Sequence, residues 1–292
     1  MRLERQFGFR LVLPAALAIA LLAAPMTALG QEGPLDPSQP KGITTEEIIR
    51  RFATKEKEFK EARDRYTYRQ DSKMEEMDGN TPTGEWHQVV DILFDNRGRR
   101  IESVVFAPQP SLQRIMMTKE DVDDLQNRLP FVLTSDEIPD YQILYAGQQK
   151  EDELNTYVFD IAPKSIQKNR RYFQGRIWVD DHDLQIVKTK GKSVPEIRSK
   201  NGENLFPEFT TWREQIDGKY WFPTYTRVDD TLRFSTGEVK VRQVVKYLNY
   251  KRFGADVKIT YGGSEVEKVP EGESKQPQAG PQGTSSPQKP AK

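Results

Sequence analysis

A chain of 292 residues with 44 basic and 44 acidic side chains, two histidines and no cysteine suits one large domain or two small ones. The lack of cysteine excludes a disulfide framework, thiolate metal sites, a cysteine nucleophile and a cysteine-anchored lipid. Balanced charge gives no electrostatic reason to expect nucleic acid as a partner.

Arg2, Arg5 and Arg10 precede Leu11–Ala24, an apolar run broken only by Pro14, and Pro25 is followed by Ala28-Leu29-Gly30. A charged start, a short apolar stretch and a small-residue exit predict a signal peptide over 1–30. A spanning helix would need ~20 residues and would have to continue through Pro25. Cleavage near Gly30 leaves 41 basic against 43 acidic residues, a weakly acidic chain expected in the periplasm or secreted. Residues 31–42, with three prolines, read as a flexible leader, and 43–267 as one folded domain. Residues 268–292, rich in Pro, Gly, Gln and Ser, read as a disordered tail.

Thr44-Thr45-Glu46-Glu47 predicts a capped helix start, with Ile48, Ile49, Phe52, Phe59 and Ala62 near one face. At Tyr66-Thr67-Tyr68 the period changes to two. Trp86, Gln88, Val90, Ile92 and Phe94 share one strand face, and Asp95–Gly98 turns the chain into Ile101–Phe106. Thr118–Arg128 predicts a second, polar helix, with Glu120 and Asp121 at its N-terminus. Three hairpins come after it: Tyr141–Gln149 with Leu154–Ala162, Arg171–Val179 with Leu184–Val194, and Leu205–Ile216 with Tyr220–Phe234 around Asp217-Gly218. Val239–Tyr250 and Asp256–Tyr261 end the series. In Val239–Tyr250 the apolar phase moves from Val239 and Val241 to Val244, Leu248 and Tyr250, which predicts a bulge. The fold class is therefore α+β, mainly antiparallel: a curved meander sheet whose apolar hollow is covered by an N-terminal and a mid-chain helix.

Catalytic signatures are missing: there is no G-x-S-x-G, H-E-x-x-H, P-loop or G-x-G-x-x-G. His182 in Asp180-Asp181-His182-Asp183 reads as a solvated turn rather than a metal site. Glu75-Glu76 and Asp123-Asp124 read as exposed acids, and Lys188, Lys190 and Lys192 as strand exterior. No catalytic residue, metal or cofactor is expected. The aromatics are the more informative set, more than a thin core can use, and they suggest an apolar cleft. The candidate lining residues are Trp86, Phe94, Tyr157, Phe159, Phe173, Trp178, Trp212, Trp221 and Phe222. Which face each occupies depends on register, since a one-residue slip inverts the set.

Gly175-Arg176-Ile177-Trp178-Val179-Asp180, Leu184-Gln185-Ile186-Val187-Lys188, Asp217-Gly218-Lys219-Tyr220-Trp221-Phe222-Pro223 and Val244–Phe253 resemble the outer-membrane lipoprotein-sorting (LolA-like) superfamily. The resemblance implies an unclosed antiparallel half-barrel with helices as a lid over an apolar cavity. It also implies a carrier that works without covalent chemistry. Trp86 leads into Val89–Phe94 with no Arg-Pro element after it, so the family's lid arginine has no counterpart here. The expected function is non-enzymatic binding or carriage of a lipid, a lipoprotein acyl chain or another hydrophobic ligand. Transient membrane contact, a monomer and an envelope protein partner are expected with it, and no nucleic acid. The alternative is a cell-envelope protein-interaction module without a small ligand.

Overall fold

The computed structural model describes residues 32–253, apart from 96, 98, 128, 169, 200 and 201. The signal peptide, the tail over 268–292 and the strand expected at Asp256–Tyr261 lie outside the described residues.

Helix α1 (Thr45–Arg63) opens where the Thr44 side chain accepts the Glu47 N–H at 3.2 Å, satisfying one of the orphan donors of its first turn. It buries Ile48, Phe52, Ala53, Glu56 and Phe59. Strands β1 (Tyr66–Asp78), β2 (Thr81–Phe94) and β3 (Arg100–Phe106) form one meander, and α2 (Lys119–Asn127) comes next. The second meander comprises β4 (Tyr141–Glu151), β5 (Leu154–Pro163), β6 (Tyr172–Asp180), β7 (Ile186–Val194), β10 (Phe209–Gln215), β11 (Trp221–Phe234) and β12 (Gly237–Arg252). A small hairpin, β8 (Ile197–Ser199) with β9 (Gly202–Asn204), stands apart between β7 and β10.

The main sheet has ten strands in the order β3-β2-β1-β12-β11-β10-β7-β6-β5-β4 and does not close on itself. The first and last strands, β1 and β12, pair over eleven positions from Tyr66↔Arg252 to Met77↔Lys240, which joins the two meanders into one antiparallel sheet. Register shifts interrupt six strand pairs, including β1 with β12, β4 with β5 and β10 with β11, and such bulges bend a sheet. This is the expected unclosed half-barrel with two helices.

The bulge in β12 lies later than the sequence suggests. Val239, Val241, Val245 and Tyr247 are buried on one face, whereas Leu248 is 42% exposed. The phase changes only at Asn249, whose φ of 59° is left-handed. That step returns the Tyr250 ring to the covered face, 4.8 Å from Phe222 and 5.0 Å from Tyr68.

One contiguous core fills the covered face, with contributions from both helices, from Leu129, Phe131 and Leu133, and from the inner residues of nearly every strand. Strands β6 and β7 approach closely at Gly175↔Gly191, where a Cβ on Gly191 would stand 2.7 Å from the Phe173 ring. Glycine there lets that ring lie across the neighbouring strand.

Residues 32–38, which composition reads as leader, run beside the β4 edge. Gly33 N donates to Lys150 O at 2.8 Å, and Asp36 and Gln148 exchange both backbone bonds at 2.8 and 2.7 Å. Gly147, at φ 146°, makes room for this, since a Cβ there would come within 2.3 Å of Asp36 O.

Candidate functional site

The nine aromatics expected as a cavity lining separate by face. Trp86, Tyr157, Phe159 and Phe173 point into the hollow and fill it. Phe52 lies 5.7 Å from Phe159, and Phe131 stacks on Phe173 at 4.2 Å. Phe222 joins Phe59 and Tyr66 in a second cluster beneath the end of α1. Phe94 packs on Phe253 at 5.1 Å, at one edge of the sheet. Trp178 lies on the outer face with Val158 and Val187, because Ile177 and Val179 beside it face in. Trp221 packs partly against that cluster and donates to Asp183 Oδ2 at 2.7 Å. Trp212 pairs across the sheet with Lys188 and Tyr225, its ring 5.8 Å from Tyr225. The hollow is thus packed with the chain's own rings.

The outer face holds a feature that the run Lys188, Lys190, Lys192 conceals. Lys188 is buried, not exterior. Its ammonium lies 4.6 Å from the Trp178 ring and 5.7 Å from the Trp212 ring. It donates to Glu151 at 2.7 Å and also to Glu32. Burial pushes the Glu151 carboxyl up, against the pull of that ammonium. An outer-face cavity of about 520 Å³ adjoins this group; Leu144 and Trp178 line it together with Asp160, Arg176, Lys190 and Glu208, and Arg176 and Asp160 pair at 2.7 Å. The other candidates from the sequence are likewise engaged in structure. Asp180 Oδ2 accepts the N–H groups of His182 and Asp183 in a hairpin turn, Asp124 pairs with Arg171 at 3.0 Å, and Glu75 with Lys73 at 2.8 Å. Among the described residues no group of three or more His, Asp or Glu converges as a metal site would.

At one end, the hollow is sealed. Arg213 on β10 donates to Glu56 of α1 at 2.9 and 3.2 Å, to Ile186 O at 3.3 Å and to Phe131 O, so one guanidinium joins helix, sheet and the segment over 129–133. Both partners are fully buried, and burial pushes the Glu56 carboxyl up even against the adjacent guanidinium.

At the other end a groove of about 390 Å³ remains between the loop over 114–118, the β8–β9 hairpin and the β11–β12 turn. Met74, Met117, Leu205, Leu232 and Phe234 line it, with Met116 at its rim, 80% exposed. Beneath it, under α2, lies a small cavity of about 30 Å³ that shares Met74, Met117, Asp121 and Pro207 with the groove. The rims are tied down by polar contacts. The fully buried Glu76 carboxylate accepts the backbone N–H groups of Gln113, Arg114 and Ile115 at 2.7–3.1 Å, holding the loop that carries both methionines. Thr118 and Asp121 cap α2 reciprocally, with Asn204 donating to Thr118 Oγ1 at 3.0 Å. Burial raises the Asp121 carboxyl above its ordinary range. Glu203 on β9 accepts from Ser235 N and Oγ, both at 2.7 Å, which fixes the opposite rim. Sequence reasoning places Glu76 among exposed acids. The signal that would have found it is its phase, since it shares the inward face of β1 with Tyr68 and Met74. Met116-Met117 had no such signal, because loops carry no period.

The chain matches no family model and no curated protein. Among solved structures it is similar to a DUF1329 family protein from Desulfovibrio piger at 13% identity and a TM-score of 0.37, over 70% of this chain and 92% of that one. A LolA superfamily protein from Nitrosomonas europaea is similar at 16% identity and a TM-score of 0.28, over 65% of this chain and 87% of that one. The Pseudomonas aeruginosa MucA/MucB complex contains a chain similar at 11% identity and a TM-score of 0.20, over 71% of this chain and 98% of that one.

Proposed function

We propose that the protein is an exported, non-enzymatic binding protein that holds an acyl chain or comparable apolar ligand in the groove at the open end of the half-barrel. The observation that carries this reading is the groove itself: an apolar floor under a polar rim, within the ~300–1,000 Å³ range of small-ligand sites. Its methionines suit a ligand without fixed shape, since the unbranched thioether adapts to irregular surfaces. Affinity would come from desolvation, at ~0.8 kcal/mol for each methylene buried, with no bond made or broken. The narrow passage beneath the groove limits a ligand to the mouth unless α2 and its preceding loop move. The signal-peptide pattern supports export to the periplasm or beyond, with cleavage near Gly30.

The test is binding of a fluorescent fatty acid to the mature full-length chain, with native mass spectrometry for co-purified lipid. Met116→Glu and Phe234→Ser should each weaken binding at least tenfold, whereas Leu144→Ser on the outer face should leave it unchanged. Equal binding by all three variants, or none by the parent chain, would overturn the proposal. The alternative, a protein-interaction module without a small ligand, draws its support from the β3 edge, where Ile101, Val104, Val105 and Phe106 are all exposed.

A further inference from the structure

Of the six methionines, Met1 and Met26 fall within the expected signal peptide, which leaves Met74, Met77, Met116 and Met117, with no cysteine beside them. Thioethers are then the only sulfur in the exported chain, and sulfur is where hydroperoxides transfer oxygen most readily. Exposure separates the four. Met77 is 2% and Met74 6% accessible, and Met117 packs on the main core, whereas Met116 is 80% accessible. With the N–H groups of Gln113, Arg114 and Ile115 held by the Glu76 carboxylate, the loop keeps Met117 against the core and Met116 at the rim. Met74, Met116 and Met117 all border the groove at the open end. Of these three, Met116 is the one that solvent reaches freely.

We propose that Met116 is an oxidation site that regulates the groove: a hydroperoxide converts its thioether to the sulfoxide, which weakens binding of the apolar ligand. This rests on the reading of the groove as a site for such a ligand. In the reaction a sulfur lone pair forms the new S–O bond as the peroxide O–O bond breaks. The sulfur loses two electrons, and the proton of the transferred oxygen passes to the leaving oxygen, which departs as an alcohol, or as water from hydrogen peroxide. A ligand seated in the groove covers the Met116 side chain. The thioether is apolar and adapts to that cover, whereas a sulfoxide oxygen is a strong acceptor that loses its water to an acyl chain and gains no partner. The guanidinium of Arg114, the basic side chain bordering the groove, is already engaged with Met77 O at 3.2 Å and with Glu76 at 3.8 Å. In the unliganded protein the same oxygen stays hydrated at so exposed a position, so the fold is left intact. Met74 and Met77 are the opposite case, since a sulfoxide there would enter the core, and burial shields both from the oxidant. Cover works in both directions: a bound ligand slows the oxidation of Met116.

Limited treatment of the mature full-length chain with hydrogen peroxide, followed by peptide mapping, tests this. The first added oxygen should lie on Met116, with Met74 and Met77 unmodified. The singly oxidised protein should bind the fluorescent fatty acid at least threefold more weakly at an unchanged Tm, and methionine sulfoxide reductases with a dithiol should restore binding. Met116→Gln should bind weakly before any treatment, and Met116→Leu should lose the response to peroxide, whatever its starting affinity. Saturating fatty acid should slow oxidation of Met116 at least threefold, while free methionine in the same sample reacts at its usual rate. First oxidation at Met117, or undiminished binding by protein oxidised at Met116, would overturn the inference. So would a loss of binding on peroxide treatment that persists in Met116→Leu. Absence of fatty-acid binding by the untreated chain would overturn the reading of the groove, and this inference with it.

Discussion

β11 and β12 run the length of the hollow, and its two ends are built differently. At the Phe222 end, α1 presses Phe52 and Phe59 onto the sheet and Arg213 bonds three elements at once. At the Phe234 end the cover is a loop, a two-stranded hairpin and a turn beside α2, held by single carboxylates at Glu76 and Glu203. Ring packing and a desolvated ion pair close the hollow, whereas backbone-directed carboxylates secure a rim around side chains that pack on the core and still border a groove. The buried ion pair lies at the first end, and the groove proposed to bind a ligand at the second.

The comparison breaks most readily at Arg213. Arg213→Ala leaves the Glu56 carboxylate buried without its partner and should cost ~3–5 kcal/mol, read as a fall in denaturant midpoint. The paired change Arg213→Met with Glu56→Leu should recover most of that loss, because an apolar pair of similar volume replaces a desolvated one. A paired variant as unstable as the single one would refute this account of the sealed end. At the open end, Glu76→Ala removes the acceptor of three backbone N–H groups. It should cost a smaller ~1–3 kcal/mol, speed exchange over 113–115, and weaken fatty-acid binding, while Arg213→Met with Glu56→Leu leaves that binding unchanged. The smallest effect concerns the first turn of α1. Arg50 and Arg51 hydrogen-bond the Glu47 carboxylate and hold its pKa down to about 2, from an ordinary 4.5. A depressed carboxyl stabilises the fold above its unfolded pKa, and that contribution disappears as the pH falls through the folded value. The difference in Tm between the parent chain and Glu47→Gln should be present at pH 6 and vanish near pH 2.

Most strands and both helices were legible because their signals are local. Asp217-Gly218, the alternation through Tyr157, Phe159 and Ile161, and the Thr44 cap each act within a few residues. The same alternation misled where facing mattered. Trp178 and Phe173 look alike in sequence, yet odd and even positions of β6 serve opposite faces. Val244 and Leu248 suggested a phase change that the left-handed Asn249 makes later. Lys188 read as exterior because nothing in its neighbourhood reveals Trp178, Trp212, Glu151 and Glu32 converging from three other strands and the N-terminal segment.

By itself the amino-acid sequence determined the element types and the antiparallel hairpins, since caps, turns and periodicity are properties of neighbouring residues. Only the tertiary structure decided that β1 meets β12, that Trp86, Tyr157, Phe159 and Phe173 fill the hollow themselves, and that a groove remains at its Phe234 end. Those outcomes depend on pairings between residues far apart in the chain and on the volume left after every side chain is placed, neither of which is encoded at any single position.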